Sequence, residues 1–505
     1  MIDKPAKIVK IQSLLTHVHP DLDAILSIYL MRSHESEKFP GAKSAFLQFV
    51  SANTLPDGKS SAQLELEGTL ALDVGGGRFD THPVPGTSNE DKWDTCASQL
   101  VAVELGVKDN FGYRFILPFA LAQDVEGRSL TSKDAAHHLL APHSILEGVH
   151  RLPGFDDSKT VEFFSDYLDA LTKSAELDEP GLSEIAALFD RSLNRFLLND
   201  YKTISKIERK TVQELPIEGD AHKTTETRGW EKLRELEKLL RIGSRLLDES
   251  KDALPSDELE RRILLPNALY GLAVLLDENS DIFRETVAGL FQAVVHREAD
   301  WFAAVAEVKR SARLIRGQRC SVVAIASKNG LAIKAARYSR RANSILYYQP
   351  KKGHATIQAG YRPDGKPVLV LKRIAARIRT AEQIKRGKNK PVKNAGDVGT
   401  VNGWFLHPSL QLLNCGSPKA PDVQITKLTY SELIEQVEAD LRPDEKIAAP
   451  FCPPDTCTET NCAYYPLRLP NCSAHRKNLK TAPKKGTLGD LFGKKLKGSD
   501  KRNKS

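Results

Sequence analysis

The sequence predicts an α/β protein with a mostly parallel-sheet N-terminal domain, a helical middle and a smaller, basic α/β domain near the C-terminus. Three observations support this fold class. Apolar, β-branched runs alternate with helical patterns up to about residue 155, which is typical of a parallel sheet. The periodicity then becomes almost wholly helical, and from Ser321 it changes to the two-residue alternation of strands. With 505 residues, 41% of them hydrophobic, the chain is long enough for two or three domains.

Each region supplies its own elements. In the N-terminal domain the predicted strands are 7–15, 44–50 and 69–74, and the predicted helices are 22–33, 95–105 and 111–123. In the middle, the amphipathic helices are 230–247 and 282–310. The second alternating region offers strands at 322–325, 331–333, 345–348, 355–357 and 368–371. A basic stretch, 371–393, predicts a helix that runs into a loop.

We expect five segments along the chain. They are a metal-binding α/β domain (1–155), a helical segment that extends it and links onward (156–317), a basic substrate-binding α/β domain (318–445), a cysteine-rich segment (446–476) and a disordered basic tail (477–505). The sequence shows no charged-then-apolar leader and no apolar run of about 20 residues, so we expect a cytoplasmic protein without a membrane span.

The formal charge of +8 is distributed very unevenly. Residues 309–393 contain twenty-three Lys and Arg against two acids, a net +21, and residues 476–505 carry +9. The rest of the chain therefore carries −22. A solvated basic surface would explain a small excess, but a local excess this large favours a polyanionic partner, with nucleic acid first.

Ligand-type side chains follow the first predicted strand at the point where it turns into a helix. His17, Asp21 and Asp23 lie within seven residues there, at the edge where open α/β sheets bind ligands. Carboxylates this close repel each other unless a cation lies between them. Asp73 and Asp124 end later apolar segments, and Asp80-Thr81-His82 follows the glycines after Asp73. The candidate metal ligands are His17, Asp21, Asp23, Asp73, His82 and Asp124. This oxygen-rich set with added imidazole suits Mn²⁺ or Mg²⁺, one or two ions, better than Zn²⁺. Taken singly, each acid could equally be a helix cap.

The order of these residues resembles the DHH phosphoesterase superfamily, which includes RecJ-type exonucleases, oligoribonucleases and Myg-type exonucleases. The resemblance rests on His-x-x-Pro-Asp-x-Asp-Ala at 17–24 and on the loop 73–82, which ends in Asp80-Thr81-His82. It implies an α/β domain of that type, with metal ligands at His17, Asp21, Asp23, Asp73 and Asp124. It also implies a catalytic place for His82 and Asp80 beside the scissile phosphate.

This sequence departs from the family pattern at one position. The family's middle histidine, a metal ligand, is Thr81 in this chain. Three readings stay open: His82 takes over coordination, one metal site is weakened, or the centre is catalytically inactive.

The basic second domain is where the resemblance implies substrate binding. The loop 352–360 is similar to a glycine–histidine loop of the superfamily, and the substrate-binding candidates are His354, Arg340, Arg341 and Lys352. Tyrosines alternate with these basic side chains. Cations can bind the phosphates of a single strand, and aromatic rings can stack on its unpaired nucleobases. An ordinary hairpin with core tyrosines would have the same sequence pattern.

Two short motifs lie near the C-terminus. Cys452, Cys457, Cys462 and Cys472 predict one tetrahedral metal site, structural Zn²⁺ by default, with an iron–sulfur cluster or unligated thiols as alternatives. The tail segment 485–495 is similar to sliding-clamp-binding peptides through Leu488, Leu491 and Phe492, with Lys485 where their glutamine usually stands. An incidental apolar spot is the alternative.

Together these features predict a metal-dependent phosphodiesterase, an exonuclease on single-stranded DNA or RNA that uses metal-activated water, with a role in DNA repair. One alternative is a catalytically degenerate DHH-type protein that binds nucleic acid and a clamp in replication or repair. A second is a phosphatase of polyphosphate or cyclic dinucleotides.

Overall fold

The computed structural model describes residues 9–34, 36–52, 54–82, 94–126, 140–177, 182–199, 262–317, 320–340, 344–360, 369–388, 392, 395–407, 409–417, 419 and 424–441. The chain is a mixed α/β protein that forms two compact units. Unit 1 consists of Met1–Arg313, Val323–Thr356 and Asn414–Ile425, and unit 2 consists of Leu314–Val322, Ile357–Leu413 and Thr426–Ser505, within the described positions.

Unit 1 begins with a small parallel sheet. Its strands are β1 (Ser13–His17), β2 (Phe46–Val50) and β3 (Thr69–Ala71), in the order β2-β1-β3. Both pairs are parallel, as the alternation of strands and helices predicts. The central strand β1 is buried throughout, although only Leu14 and Leu15 of its five residues are apolar.

Helices surround this sheet and fill the rest of the described part of unit 1 before residue 313. They are α1 (Leu22–Ser33), α2 (Ser61–Leu66), α3 (Ala97–Leu105), α4 (Ile116–Glu126), α5 (Pro142–Val149), α6 (Asp157–Glu176), α7 (Leu182–Asn199), α8 (Leu265–Leu276) and α9 (Asp281–Ser311). The helix predicted at 22–33 has the predicted bounds. The one predicted at 111–123 is instead a 3₁₀ turn, Phe111–Tyr113, followed by α4. Among the described helices, none has the length and apolar character needed to cross a bilayer.

Helices α5 and α9 of unit 1 approach each other closely at Gly148, and ion pairs of Glu147 connect α5 to its neighbours. A Cβ atom placed on Gly148 of α5 would lie 2.0 Å from the carbonyl oxygen of Ala293 on α9. On the same helix, Glu147 pairs with Lys334 and with Arg297, whose Nε lies 3.3 Å from the carboxylate. Burial raises the pKa of the Glu147 carboxyl, but these two cations outweigh it and lower the pKa to about 2.

A second sheet has seven strands in the order β4-β5-β6-β7-β10-β9-β8. They are β4 (Arg313–Arg316), β5 (Ser321–Ala326), β6 (Ser344–Gln349), β7 (His354–Ala359), β8 (Gly399–Val401), β9 (Trp404–Leu406) and β10 (Leu412–Cys415). Three helices accompany it: α10 (Ala332–Arg340), α11 (Lys372–Lys385) and α12 (Tyr430–Leu441).

Two strand predictions in this region are wrong. Residues 331–333 begin helix α10, because Leu331, Ala332, Ala335 and Ala336 recur at helical spacing and are all buried. A three-residue alternation is too short to distinguish the two periods. The described end of the run 368–371 is not a strand either: it leads into α11, and Leu371, the cap of that helix, is fully buried.

Candidate metal centre

His17 ends β1 and faces two carboxylates. Its ring is buried, and its Nδ1 atom lies 2.9 Å from the carbonyl oxygen of Val18. Because a carbonyl oxygen only accepts, Nδ1 donates to it, and Nε2 is the ring nitrogen that faces the carboxylates. That Nε2 atom lies 3.2 Å from Oδ2 of Asp73 and 3.9 Å from Oδ1 of Asp21. A ring whose Nδ1–H is held by a backbone carbonyl and whose Nε2 faces carboxylates has the orientation of a metal-ligating histidine.

Asp21 and Asp23 both serve helix N-termini. Asp21 is the N-cap of α1, and its Oδ1 accepts from the amide of Ala24 at 3.2 Å. Asp23 is buried, and its two oxygens accept from the amides of Ala97 and Ser98 at the start of α3, at 2.8 and 2.9 Å. Burial and the charges of Asp73 and Asp21 nevertheless raise the pKa of Asp23 to about 7.

Asp73 is the central carboxylate of the site. It follows β3 with a left-handed backbone (φ 54°), a conformation in which Asp is enriched and which turns the chain beside β1. Its side chain is buried, and its Oδ1 atom has no hydrogen-bond partner among the described residues. Burial raises the pKa of this carboxyl, but His17 and His82 outweigh it and hold the pKa well below the usual range.

The loop after Asp73 brings the second imidazole back to it. Asp80 accepts from the amide of Gly76 at 2.6 Å and from both the amide and Nδ1 of His82 at 2.9 Å. His82 Nδ1 also lies 3.4 Å from Asp73 Oδ1, and the His82 side chain is 53% exposed. Loss of solvent lowers the pKa of His82, but hydrogen bonds and charge from the two carboxylates raise it well above its ordinary value. Thr81, which lies between Asp80 and His82 in the sequence, is buried.

Asp124 reaches the same region from α4. Loss of solvent around its carboxyl, together with the charges of Asp23, Asp73 and Asp21, raises its pKa to about 8. It therefore lies within electrostatic reach of the loop acids, although it belongs to neither of the tight groups described next.

Two groups of potential ligand atoms overlap at Asp73. One is His17, Asp21 and Asp73, and the other is Asp73, Asp80 and His82; within each, the ligand atoms lie within 4.8 Å of one another. The buried Asp73 Oδ1 atom, which has only the long 3.4 Å contact to His82, and the Nε2 atom of His17 are placed to bind a divalent cation. Three carboxylates with two imidazoles form the hard donor set that Mn²⁺ and Mg²⁺ take.

The sequence did not reveal Lys419, which contacts this group. Its ammonium pairs with Asp21 Oδ2, and its carbonyl oxygen accepts from the amide of Ala52 at 2.8 Å. Burial lowers the pKa of Lys419, but the charges of Asp21, Asp73 and Asp124 raise it above its ordinary value. Its partner Asp21 lies 398 positions away in the sequence, so no local pattern could identify this residue.

The residues predicted to bind substrate are described only in part. Lys352 is exposed, as a phosphate contact requires. His354, at the start of β7, is 7% exposed, and its Nδ1 has no hydrogen-bond partner among the described residues. The Arg340 side chain and all of Arg341 lie outside the described residues.

Most of the basic side chains on helix α11 contact carbonyl or carboxylate oxygens of unit 2. The guanidinium of Arg379 is buried and donates to the carbonyl oxygens of Ala395, Asp397, Gly399 and Trp404. Arg373 and Arg377 pair with Asp440, Lys385 with Glu432 and Arg386 with Glu382. These five charges help to hold unit 2 together, so the net charge of the sequence overstates the basic surface of this helix.

The C-terminal motifs lie outside the described residues. This applies to the cysteine cluster, Cys452, Cys457, Cys462 and Cys472, and to Leu488, Leu491 and Phe492. Among the described residues, the cysteines are Cys96, Cys320 and Cys415, and none forms a disulfide.

Comparisons with known proteins add nothing to this geometry. No family model, no curated protein and no solved structure matches the chain.

Proposed function

We propose that this protein is a metal-dependent phosphodiesterase that hydrolyses single-stranded nucleic acid from an end. The observation that carries the proposal is the pair of ligand groups that share Asp73. A carboxylate common to two neighbouring cation sites is how a two-metal centre for phosphoester cleavage is built. The family resemblance of residues 17–24 and 73–82 supports the same chemistry.

Each side chain of the site would have a distinct role. His17, Asp21, Asp73 and His82 would hold Mn²⁺ or Mg²⁺. Asp23 and Asp124, whose pKa values burial and the neighbouring acids raise, would lose their protons beside a bound cation. When bound, such ions polarise the phosphoryl oxygens and lower the pKa of water. Asp80 accepts from the amide and from Nδ1 of His82, and these two contacts fix the orientation of the half-exposed ring beside Asp73. This favours the reading in which His82 replaces the histidine lost at Thr81.

Nucleic acid is the substrate class that the charge favours. Residues 309–393 carry +21 in sequence, and among them Lys351, Lys352, Lys372 and Lys388 are exposed in the described structure. Cations on the surface bind phosphates without regard to base sequence. The Lys and Arg side chains of α11 that pair with protein carboxylates or carbonyls are not counted among these exposed cations.

The test uses end-labelled single strands of DNA and RNA, with the label at either end, incubated with the full chain and Mn²⁺. We expect stepwise release of mononucleotides, and we expect Asp73→Asn to reduce the rate by about 100-fold or more. Asp57→Asn is the matched control, because Asp57 has the same left-handed backbone (φ 55°) but is exposed. No release from either polymer with Mn²⁺ present would contradict the proposal.

A second candidate is a non-catalytic nucleic-acid-binding module. Two expected metal ligands already have contacts within the chain, which favours this candidate. Lys419 pairs with Asp21, and two amides of α3 donate to Asp23. In that case the chain would bind single strands with undiminished affinity after Asp73→Asn and would not bind Mn²⁺. Calorimetric titration with Mn²⁺ and fluorescence anisotropy with a labelled strand separate the two candidates.

A further inference from the structure

A third group of ligand-type side chains lies apart from the Asp73 groups. It consists of His19, His150 and Asp157, whose ligand atoms lie within 4.8 Å of one another. His19 is exposed, and the other two are half-buried. The two rings meet edge to face with centroids 5.4 Å apart, and His150 Nδ1 lies 4.0 Å from Asp157 Oδ1.

The backbone holds these side chains in place. His150 Nε2 lies 2.9 Å from the carbonyl oxygen of Pro20, which can only accept, so Nε2 carries the proton. In the neutral ring, Nδ1 is then a lone pair facing the Asp157 carboxylate. Asp157 Oδ2 in turn accepts from the amide of His19 at 3.0 Å. His19 itself has a left-handed backbone (φ 51°), an uncommon state for a non-glycine residue.

The donor set differs from that of the Asp73 groups. Two imidazoles and one carboxylate are the ligands of open-sided Zn²⁺ and related transition-metal sites, with a position left for water. A ring nitrogen whose partner N–H is held by a backbone carbonyl is also how metal-ligating histidines are oriented.

We infer that His19, His150 and Asp157 form a second metal site, selective for zinc-class divalent ions. An ion bound there joins the β1–α1 loop to the first turn of α6 and to the residue after α5. Because His17 precedes this loop and Asp21 ends it, the ion also fixes the backbone between two ligands of the Asp73 groups. This inference does not depend on the proposed nuclease activity.

The test counts zinc on the chelator-treated full chain by equilibrium dialysis and atomic absorption. We expect His19→Ala and Asp157→Asn each to lose one equivalent, or to weaken its binding by at least about tenfold. Asp157→Asn keeps an oxygen to accept the His19 amide, so the loop is preserved. Circular dichroism checks that each variant is folded.

Two further variants locate the ion. Asp156→Asn is the matched control, because Asp156 is the N-cap of α6 and Asn caps equally well, so it should retain every equivalent. Asp73→Asn should also retain the zinc that His19→Ala loses. Equal zinc content in the wild type, His19→Ala and Asp157→Asn would overturn the inference. Loss of that zinc in Asp73→Asn, with retention in His19→Ala, would also overturn it.

Discussion

Replacing Lys419 by methionine should tighten Mn²⁺ binding at the Asp73 groups. The Lys419 ammonium pairs with Asp21, one of the proposed ligands. A divalent ion that uses Asp21 must either break this pair or bear repulsion from the ammonium. Methionine keeps most of the length and apolar stem of lysine and removes only the charge.

The size of the effect follows from the exposure and the neighbours of the pair. The two side chains are 38% and 33% exposed, and an isolated pair of that kind is worth about 0.2–1 kcal/mol. The ammonium also feels Asp73 and Asp124, so we place the pair at the upper end of this range, about 1 kcal/mol. The dissociation constant for Mn²⁺ should therefore fall by roughly fivefold in Lys419→Met.

Titration of chelator-treated protein, with free Mn²⁺ followed by electron paramagnetic resonance, measures this constant directly. Lys385→Met is the matched control, because the Lys385–Glu432 pair has similar exposure, 46% and 31%, and lies in unit 2. Thermal unfolding gives a second measure: without metal the Lys419 variant should melt below the wild type, and Mn²⁺ should raise its midpoint further. Unchanged or weaker Mn²⁺ binding in Lys419→Met would refute the view that Lys419 competes with a metal.

Three predictions concern stability. Gly148→Ala forces a methyl group against Ala293 and should cost about 2–4 kcal/mol in urea unfolding, whereas Gly330→Ala meets no atom within 4 Å and should change stability by less than about 1 kcal/mol. Arg379→Met leaves several backbone carbonyls without a donor and should cost about 3 kcal/mol or more, with unit 2 losing hydrogen-exchange protection first. The pKa of Glu147 falls from 4.5 to about 2 on folding, so its contribution is full above about pH 5 and is lost toward pH 2. Glu147→Gln should therefore flatten the fall in urea midpoint over that interval, and an unchanged slope would contradict the assignment.

The order of the N-terminal elements was predicted from local patterns, although the first strand, expected at 7–15, is Ser13–His17. The N-terminal strands alternate with helices because each must bury one face, and the α1 pattern at 22–33 has a cap at Asp21 immediately before it. The loop acids and histidines converge because the carboxyl ends of parallel strands β1 and β3 share one edge of a sheet.

The errors arise where short sequence patterns depend on tertiary packing. The apolar run at 331–333 fits either period, and only burial of Ala335 and Ala336 against the rest of unit 1 fixes it as helix. Likewise, the charge of α11 predicts a basic surface, whereas Arg379 turns inward to backbone carbonyls supplied by residues 395–404. A sequence gives the number of charges but not their partners.

Some contacts between distant segments could not be predicted. Lys419 meets Asp21, and His150 and Asp157 meet His19, across separations that no local motif encodes. Each contact involves residues 18–21, which join β1 to α1. Residues on either side of His19 belong to a different group: His17 and Asp21 lie with Asp73, while His19 lies with His150.

The choice between cap and ligand, which the sequence leaves open for Asp21 and Asp23, is not exclusive. A carboxylate has about four lone-pair positions, and a cap uses one or two of them. Asp21 caps α1 through Oδ1 and still faces His17 Nε2, and Asp23 binds two amides of α3 while burial and the charges of Asp73 and Asp21 raise its pKa to about 7. The caps fix where these carboxylates lie, and a bound cation would offset the repulsion that raises the pKa of Asp23. The same residues can therefore set the start of two helices and leave negative charge for a cation.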